Sequence, residues 1–316
     1  MTLQKINDLL NLSSLYERFE RFESALGLAL QAVEALKEPI EGEDSQTVIM
    51  MRLHAWTSAG SLHRKLAQYI EAEDLLQQAL DFASAQVGAK SDEASAVLNQ
   101  LGIVCKYTGQ FERGETLYRE ALENLVEKHG EKHPMVATLY HNLGGLFHAS
   151  GDFEKGEPYA RKAWDINREL LGDDSTVTLA DAAAYAGVLD GLKRYEESEP
   201  IYRYALEVFE KTYGPVHYEL AVNLNNLANV RLAKGDVEEA EILFRRALKM
   251  KEKLLGAVHP DTALTMNNLG VLLNKTGRGN EARPLFERAL AVFLEKLGGE
   301  HPKTQMAMKN LNSTGQ

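Results

Sequence analysis

The chain has 316 residues, with 35 Lys+Arg against 46 Asp+Glu and a formal net charge of −11 at pH 7. That balance repels phosphate backbones and anionic lipid surfaces, which argues against nucleic acid as a partner, and no run approaches the ~18 uninterrupted apolar residues of a membrane span. A single cysteine, Cys105, excludes an intramolecular disulfide and a Cys-rich metal site, while the opening Met1-Thr2-Leu3-Gln4-Lys5-Ile6-Asn7-Asp8 lacks the apolar run of a secretory signal, so a cytoplasmic setting is expected.

Residues 3–19 place Leu3, Ile6, Leu10, Leu15 and Phe19 at helical spacing, and residues 22–36 do the same with Phe22, Ala25, Leu26, Ala29, Val33 and Leu36. They predict a divergent first helix pair. The segment Glu38-Pro39-Ile40-Glu41-Gly42-Glu43-Asp44-Ser45 then breaks the helix with Pro and Gly and reads as a solvated acidic loop.

From about residue 46 a fixed period takes over. Gly88, Gly130, Gly172, Gly214, Gly256 and Gly298 follow one another at steps of 42 residues, which is the signature of a stacked repeat and of no known kind of active site. Each unit predicts two helices. In the sixth, Ala263, Met266, Leu269 and Leu273 share one stripe, Gly277 breaks the chain, and Ala282, Leu285, Phe286, Ala289, Leu290 and Phe293 share the next. The organisation expected is residues 1–45 as the divergent pair and acidic loop, 46–300 as six 42-residue units in one array, and 301–316 as a polar capping helix and tail.

Two columns of small residues explain how such helices could approach closely. The first helices carry Gly60, Gly102, Gly144, Ala186, Ala228 and Gly270; the second carry Ala79, Ala121, Ala163, Ala205, Ala247 and Ala289. The glycine column should end each second helix, where a positive φ favours Gly. Pro134, Pro260 and Pro302, each after a histidine, should open first helices, and Pro158, Pro200 and Pro284 are expected near the start of second helices, tolerated for the same reason, that a missing N–H would be unpaired there anyway. Arg231 stands where other units carry Phe147, Leu189 or Leu273, and the sequence names no partner for it.

These residues resemble the tetratricopeptide repeats, in particular the 42-residue type seen in kinesin light chains. The carriers are Leu224-Asn225-Asn226-Leu227-Ala228, Glu238-Glu239-Ala240-Glu241, Arg246-Ala247-Leu248, Leu254-Leu255-Gly256 and His259-Pro260, with Met266-Asn267-Asn268-Leu269-Gly270 and Arg288-Ala289-Leu290 repeating them. The resemblance covers residues 46–311. It implies an all-α, right-handed superhelical solenoid of antiparallel helix pairs whose first helices line a groove for a segment of a partner protein.

On that groove the matched positions hold Thr57, Ser58 and Ser61, then Asn99 and Gln100, then His141, Asn142 and Gly145, then Ala183, Ala184 and Gly187, then Asn225, Asn226 and Asn229, then Asn267 and Asn268, with Lys106, Asn274 and Lys275 about a turn further on. An asparagine side chain offers donors and an acceptor that match the backbone of an extended peptide. The candidate peptide-binding set is therefore Asn99, Lys106, His141, Asn142, Asn225, Asn226, Asn229, Asn267, Asn268, Asn274 and Lys275. The competing reading is that these amides bond the neighbouring first helix or simply face water. The fourth unit drops the asparagines, which leaves either an apolar recess or a packing variant filled by a neighbour such as Tyr185 or His148.

No catalytic, cofactor or metal site is expected. His133, His217, His259 and His301 recur in phase with the repeat and read as structural, His141 and His148 alone make no zinc site, and Cys105 occupies a core position. The function expected is a protein-interaction scaffold or adaptor, with a regulatory sensor that responds to a signalling peptide as the alternative.

Overall fold

The computed structural model describes residues 2–19, 21–37 and 45–315, so the acidic stretch at 38–44 lies outside the described residues. Among them, every regular element is helical. Backbone contacts divide the chain after Gly130 into two compact units, a boundary that falls inside the expected array.

The first unit holds α1 (Leu3–Arg18), α2 (Phe22–Ala35), α3 (Ser45–Lys65), α4 (Tyr69–Gln86), α5 (Asp92–Thr108) and α6 (Phe111–His129). The second holds α7 (Pro134–Ser150), α8 (Phe153–Leu171), α9 (Thr176–Gly191), α10 (Tyr195–Tyr213), α11 (Tyr218–Ala233), α12 (Val237–Leu255), α13 (Pro260–Lys275), α14 (Gly279–Leu297) and α15 (Pro302–Asn312). Within each unit, helices pack as antiparallel pairs, and in the second unit α8, α10, α12 and α14 each pack between their own first helix and the next one.

The phased histidines are helix caps. The Nδ1 atoms of His133, His217, His259 and His301 accept from the backbone N–H two residues on, at 3.3, 3.3, 3.1 and 3.1 Å. An imidazole therefore does here what Ser91 does for α5, satisfying a donor that has no partner inside its helix. Pro134, Pro260 and Pro302 follow at the first helical position, where they were expected.

Helix ends are equally regular. Gly130, Gly172, Gly214, Gly256 and Gly298 cap the second helices with φ between 78° and 85° and ψ near 180°, a region that only glycine occupies without strain. The turn inside each pair also needs a positive φ; it is supplied by Gly109, Gly151, Gly235 and Gly277, but by Ala67 and Lys193 in the first and fourth units.

One expectation is corrected. Pro158, Pro200 and Pro284 are sixth in their helices, beyond the first turn, so each withholds an N–H that the preceding turn's carbonyl would have used. All three are exposed to solvent.

The small-residue columns lie at the helix contacts. All six alanines of the second helices are fully buried. A Cβ added at Gly102 or Gly270 would stand 2.5 Å from the Tyr118 ring or 2.7 Å from the Phe286 ring, and at Gly144 it would stand 2.9 Å from the backbone nitrogen of Ala160. Large side chains from the second helices, among them Tyr118, Tyr202, Phe244 and Phe286, fill the room these positions leave. Burying each such ring contributes about 1.5–3 kcal/mol. Cys105 belongs to this core, and burial pushes its thiol up from the ordinary cysteine range.

Candidate peptide-binding face

In the second unit successive first helices lie side by side, α7 with α9, α9 with α11, α11 with α13 and α13 with α15. Their side chains meet with an offset of one residue from the repeat. Asn268 Nδ2 donates to Asn225 Oδ1 at 3.2 Å, and Asn310 Nδ2 donates to Asn267 Oδ1 at 2.9 Å, both across 43 positions. Asn225 and Asn267 are thereby 5% and 1% exposed, and an amide buried that deeply without a partner would cost about 1–3 kcal/mol. For these two residues the contact between neighbouring first helices accounts for the asparagine.

The remaining candidates divide by exposure. Asn226 and Asn268 are half-buried and Asn229 is exposed, so all three present amide surface on the first-helix face. Asn225 Nδ2 also donates to Asn226 Oδ1 at 3.3 Å, so the buried residue orients the accessible one. Asn274 is half-buried and donates to Ser313 Oγ at 3.1 Å, beside the exposed Lys275. Asn142 is buried. In the first unit, Asn99 is half-buried and Lys106 holds its ammonium 5.3 Å from the centre of the Tyr107 ring, a cation–π arrangement.

His141 differs from the rest. Its Nδ1 lies 2.7 Å from Asp181 Oδ1 on α9, and the other Asp181 oxygen accepts from Asn167 Nδ2 at 2.7 Å. The imidazole keeps 34% of its side chain exposed, against 5% for the carboxylate behind it.

The fourth unit's small residues leave no open recess at Gly187. A Cβ there would stand 3.5 Å from His148 Nε2 and 3.5 Å from Tyr202 Oη, so neighbours already line the position. Tyr202 in turn donates to Asp190 Oδ2 at 2.8 Å, and Ser198 donates to the other oxygen of the same carboxylate. Burial pushes Asp190 up to about 6, only partly offset by those two hydroxyls.

Arg231 also finds its partners. It pairs with Glu199 at 3.0 Å and with Asp236, while Lys234 holds Glu196 at 2.9 Å and Glu199 at 2.8 Å. Lys234 and Arg203 keep Glu199 below the usual carboxylate range, against burial. The arginine joins the ends of α10, α11 and α12 in an ion-pair network.

Sequence reading missed Asp181, Asn167, Asp190 and Lys251. A usable signal was present: Asn167 and Lys251 each stand in a column otherwise filled by Ala83, Leu125, Phe209 and Phe293. A polar residue in such a column needs a partner, and the sequence does not say which. Among the described residues no cluster of three or more His, Cys, Asp or Glu could hold a metal, and no helix is long and apolar enough to cross a membrane.

Helix pairs at a 42-residue period, closed by glycine and opened by a cap, with polar first-helix faces, define an all-α helical-repeat solenoid. The sequence family described as Tetratricopeptide repeat matches residues 51–127, 96–169, 135–202 and 178–253, and again 262–303; the chain belongs to that family. A search of curated proteins finds no match.

Solved structures share the fold. The Rap conjugation gene regulator of plasmid pLS20, in complex with the Phr* peptide, is similar with a TM-score of 0.72 and 18% identity, covering 93% of this chain and 76% of that one. A Rap protein complexed with Competence and Sporulation Factor gives 0.67 and 16%, covering 99% and 87%. BtubC (BKLC) from P. vanneervenii gives 0.51 and 24%, covering 76% and 93%.

Proposed function

We propose that this protein is an interaction scaffold that holds a peptide segment of a partner protein along the first-helix face of its second unit. The observation that carries the reading is the pair Asn226 and Asn268. Both are held in place by the buried Asn225, both stay partly open, and amides at repeat spacing match the N–H and C=O groups of an extended chain. The Rap relatives described as bound to a peptide or factor lend support at the level of the fold. Lys106 and Asn99 extend the same proposal to the first unit, and Lys275 would add a cation at the far end.

A random peptide display library tests this. The wild type should enrich a family of peptides, and Asn226→Ala/Asn268→Ala, assayed where it stays folded, should lose at least tenfold in affinity for them, with a lowered melting temperature because both changes take a partner from the buried Asn225 amide. Asn225→Ala removes that amide itself and leaves Asn226 and Asn268 in place, so it should lower stability with a smaller loss of affinity and separate the two effects. Equal affinity in the Asn226/Asn268 double variant would move the site elsewhere. Small-angle scattering with an enriched peptide separates the two modes: an unchanged profile suits a scaffold, and a changed pitch suits a regulatory sensor.

A further inference from the structure

His141 and Asp181 lie 40 positions apart, on adjacent first helices, and their hydrogen bond sets the chemistry of the face beside them. An ionised carboxylate has no proton to give, so at 2.7 Å the proton belongs to His141 Nδ1. Asp181 is committed on its other side as well. Asn167, 3% exposed, turns its amide N–H toward the carboxylate and leaves its own Oδ1 buried without a partner. That orphaned oxygen shows which demand wins: satisfying the buried carboxylate decides the orientation of both neighbours.

The ring's other nitrogen, Nε2, lies on the side away from the acid. The imidazole is partly exposed while Asp181 is buried, so the ring's open edge is the one away from the acid, where Nε2 stands. With hydrogen on Nδ1, a neutral ring carries a lone pair on Nε2 and no N–H. Asparagines elsewhere on the face present a donor and an acceptor together, whereas this position presents an acceptor alone.

We propose that Asp181 is a positioning residue that fixes His141 as a hydrogen-bond acceptor, so that the third and fourth repeats bind a donor group of the peptide ligand. The group taken is an N–H or O–H of the ligand, whether from its backbone or from a side chain such as Lys, Arg, Gln or Ser. The inference rests on the first-helix face being the binding face, and goes beyond it by assigning the hydrogen-bond sense of one subsite. A purely structural pairing would hold the two helices together without imposing that sense on a ligand.

The first test reads the ring itself. In histidine-labelled wild-type protein above neutral pH, 15N correlation spectra should show His141 Nε2 unprotonated and Nδ1 protonated, the reverse of the form a free imidazole side chain prefers in water. Asp181→Asn replaces the acceptor oxygen with a choice of donor, and should move the hydrogen to Nε2. A protonated Nε2 in the neutral wild-type ring would overturn the proposal.

The second test uses the same random peptide library. Wild-type protein should enrich a donor side chain, or show a position intolerant of proline, at the residue opposite His141. Those peptides should bind about tenfold more weakly to Asp181→Asn, which should instead favour Asp or Glu there. His141→Lys provides a variant that keeps an N–H for Asp181 and carries no acceptor, and should lose the same preference even if Asp181→Asn folds poorly. Peptides selected alike by wild type and His141→Lys would sink this inference and leave the binding face standing. No enrichment by the wild type would remove the binding face, and this subsite with it.

Discussion

Lys251 holds its ammonium nitrogen 3.3 Å from the main-chain carbonyl of Asp261, where α12 meets α13, and is 3% exposed. Burial pushes the lysine down from its ordinary range, Asp261 opposes that, and Lys303 reinforces it. Asp261 is itself pushed up by burial, but the charges of His259, Lys251 and Lys303 and the Tyr218 hydroxyl, 2.7 Å from its carboxylate, bring it down to about 2.

Lys251→Met should therefore be neutral or stabilising, by up to about 1–2 kcal/mol. It removes a buried charge bonded to a main-chain carbonyl and restores the apolar character of its column, and although Asp261 loses one of its cations it keeps Lys303, the Tyr218 hydroxyl and the amino end of α13. The sign with pH follows from the lowered lysine. Between its folded pKa and the ordinary value of about 10.4 the unfolded chain binds the extra proton, so wild-type stability rises as pH climbs through that window. Denaturant unfolding at a series of alkaline pH values should show that rise in the wild type and not in Lys251→Met. A loss of several kcal/mol in the variant would mean the ammonium is a net stabiliser.

Asp190 has the opposite kind of shift for an acid. Its folded pKa is raised to about 6, so between that value and the unfolded value of about 3.9 the native state binds more protons than the unfolded chain. Its contribution destabilises the fold at pH 7 and is relieved as pH falls through 6 toward 4. Asp190→Asn should flatten this part of the stability profile and gain about 1–2 kcal/mol at pH 7, less any loss from the Tyr202 and Ser198 hydrogen bonds. An unchanged profile from pH 4 to 7 would show that the carboxyl is not the group responsible.

Lys193 takes the positive φ, 60°, that glycine takes at the matching turn of four other units. A side chain in this region costs about 1–2 kcal/mol, and glycine's greater freedom when unfolded takes back part of the gain. Lys193→Gly should raise the unfolding free energy by about 0.5–1 kcal/mol. The same change at Gly151's neighbour Ser150, which ends α7 in ordinary helical geometry, should lower it, and comparing the two melting curves checks the assignment.

The glycines of the first-helix small-residue column predict a graded response to Ala. At Gly144 the new methyl meets backbone, Ala160 N at 2.9 Å and Cα at 3.0 Å, which cannot swing away. At Gly270 it meets the edge of the Phe286 ring at 2.7 Å, which can tilt. Overpacking costs about 1–3 kcal/mol and the better helix propensity of Ala returns about 1. Gly144→Ala should be clearly destabilising and Gly270→Ala close to neutral. Equal melting temperatures for the two would place the constraint outside the helix contact.

The existence and limits of the helix pairs were legible because their signals are local. Stripes at 3.6-residue spacing, the His-Pro pairs that open three first helices and a glycine after each second helix act within a few residues of where they are written, and repetition at 42 residues multiplied them. The prolines near the start of the second helices fall where expected, but at the sixth position the missing N–H is no longer one that would have lacked a partner, a difference of a few residues that the sequence does not mark. The division after Gly130 carries no such signal: Gly130 is one more glycine of the column.

The candidate site was legible only in part. Asn225 and Asn226 are neighbours in the chain, yet one is 5% exposed and the other remains partly open, since consecutive helical residues point about 100° apart and the first helices pack with an offset of 43 rather than 42. The Glu199 that pairs with Arg231 and the Asp181 that orients His141 sit 32 and 40 positions from them, joined only when the repeats stack. The repeat, its turns and the residue types offered to the first-helix face are written in the chain, because they follow from backbone propensity and periodicity. Only the tertiary structure decided which of those side chains bond one another and which stay open to a ligand, because that choice belongs to contacts between helices a whole repeat apart.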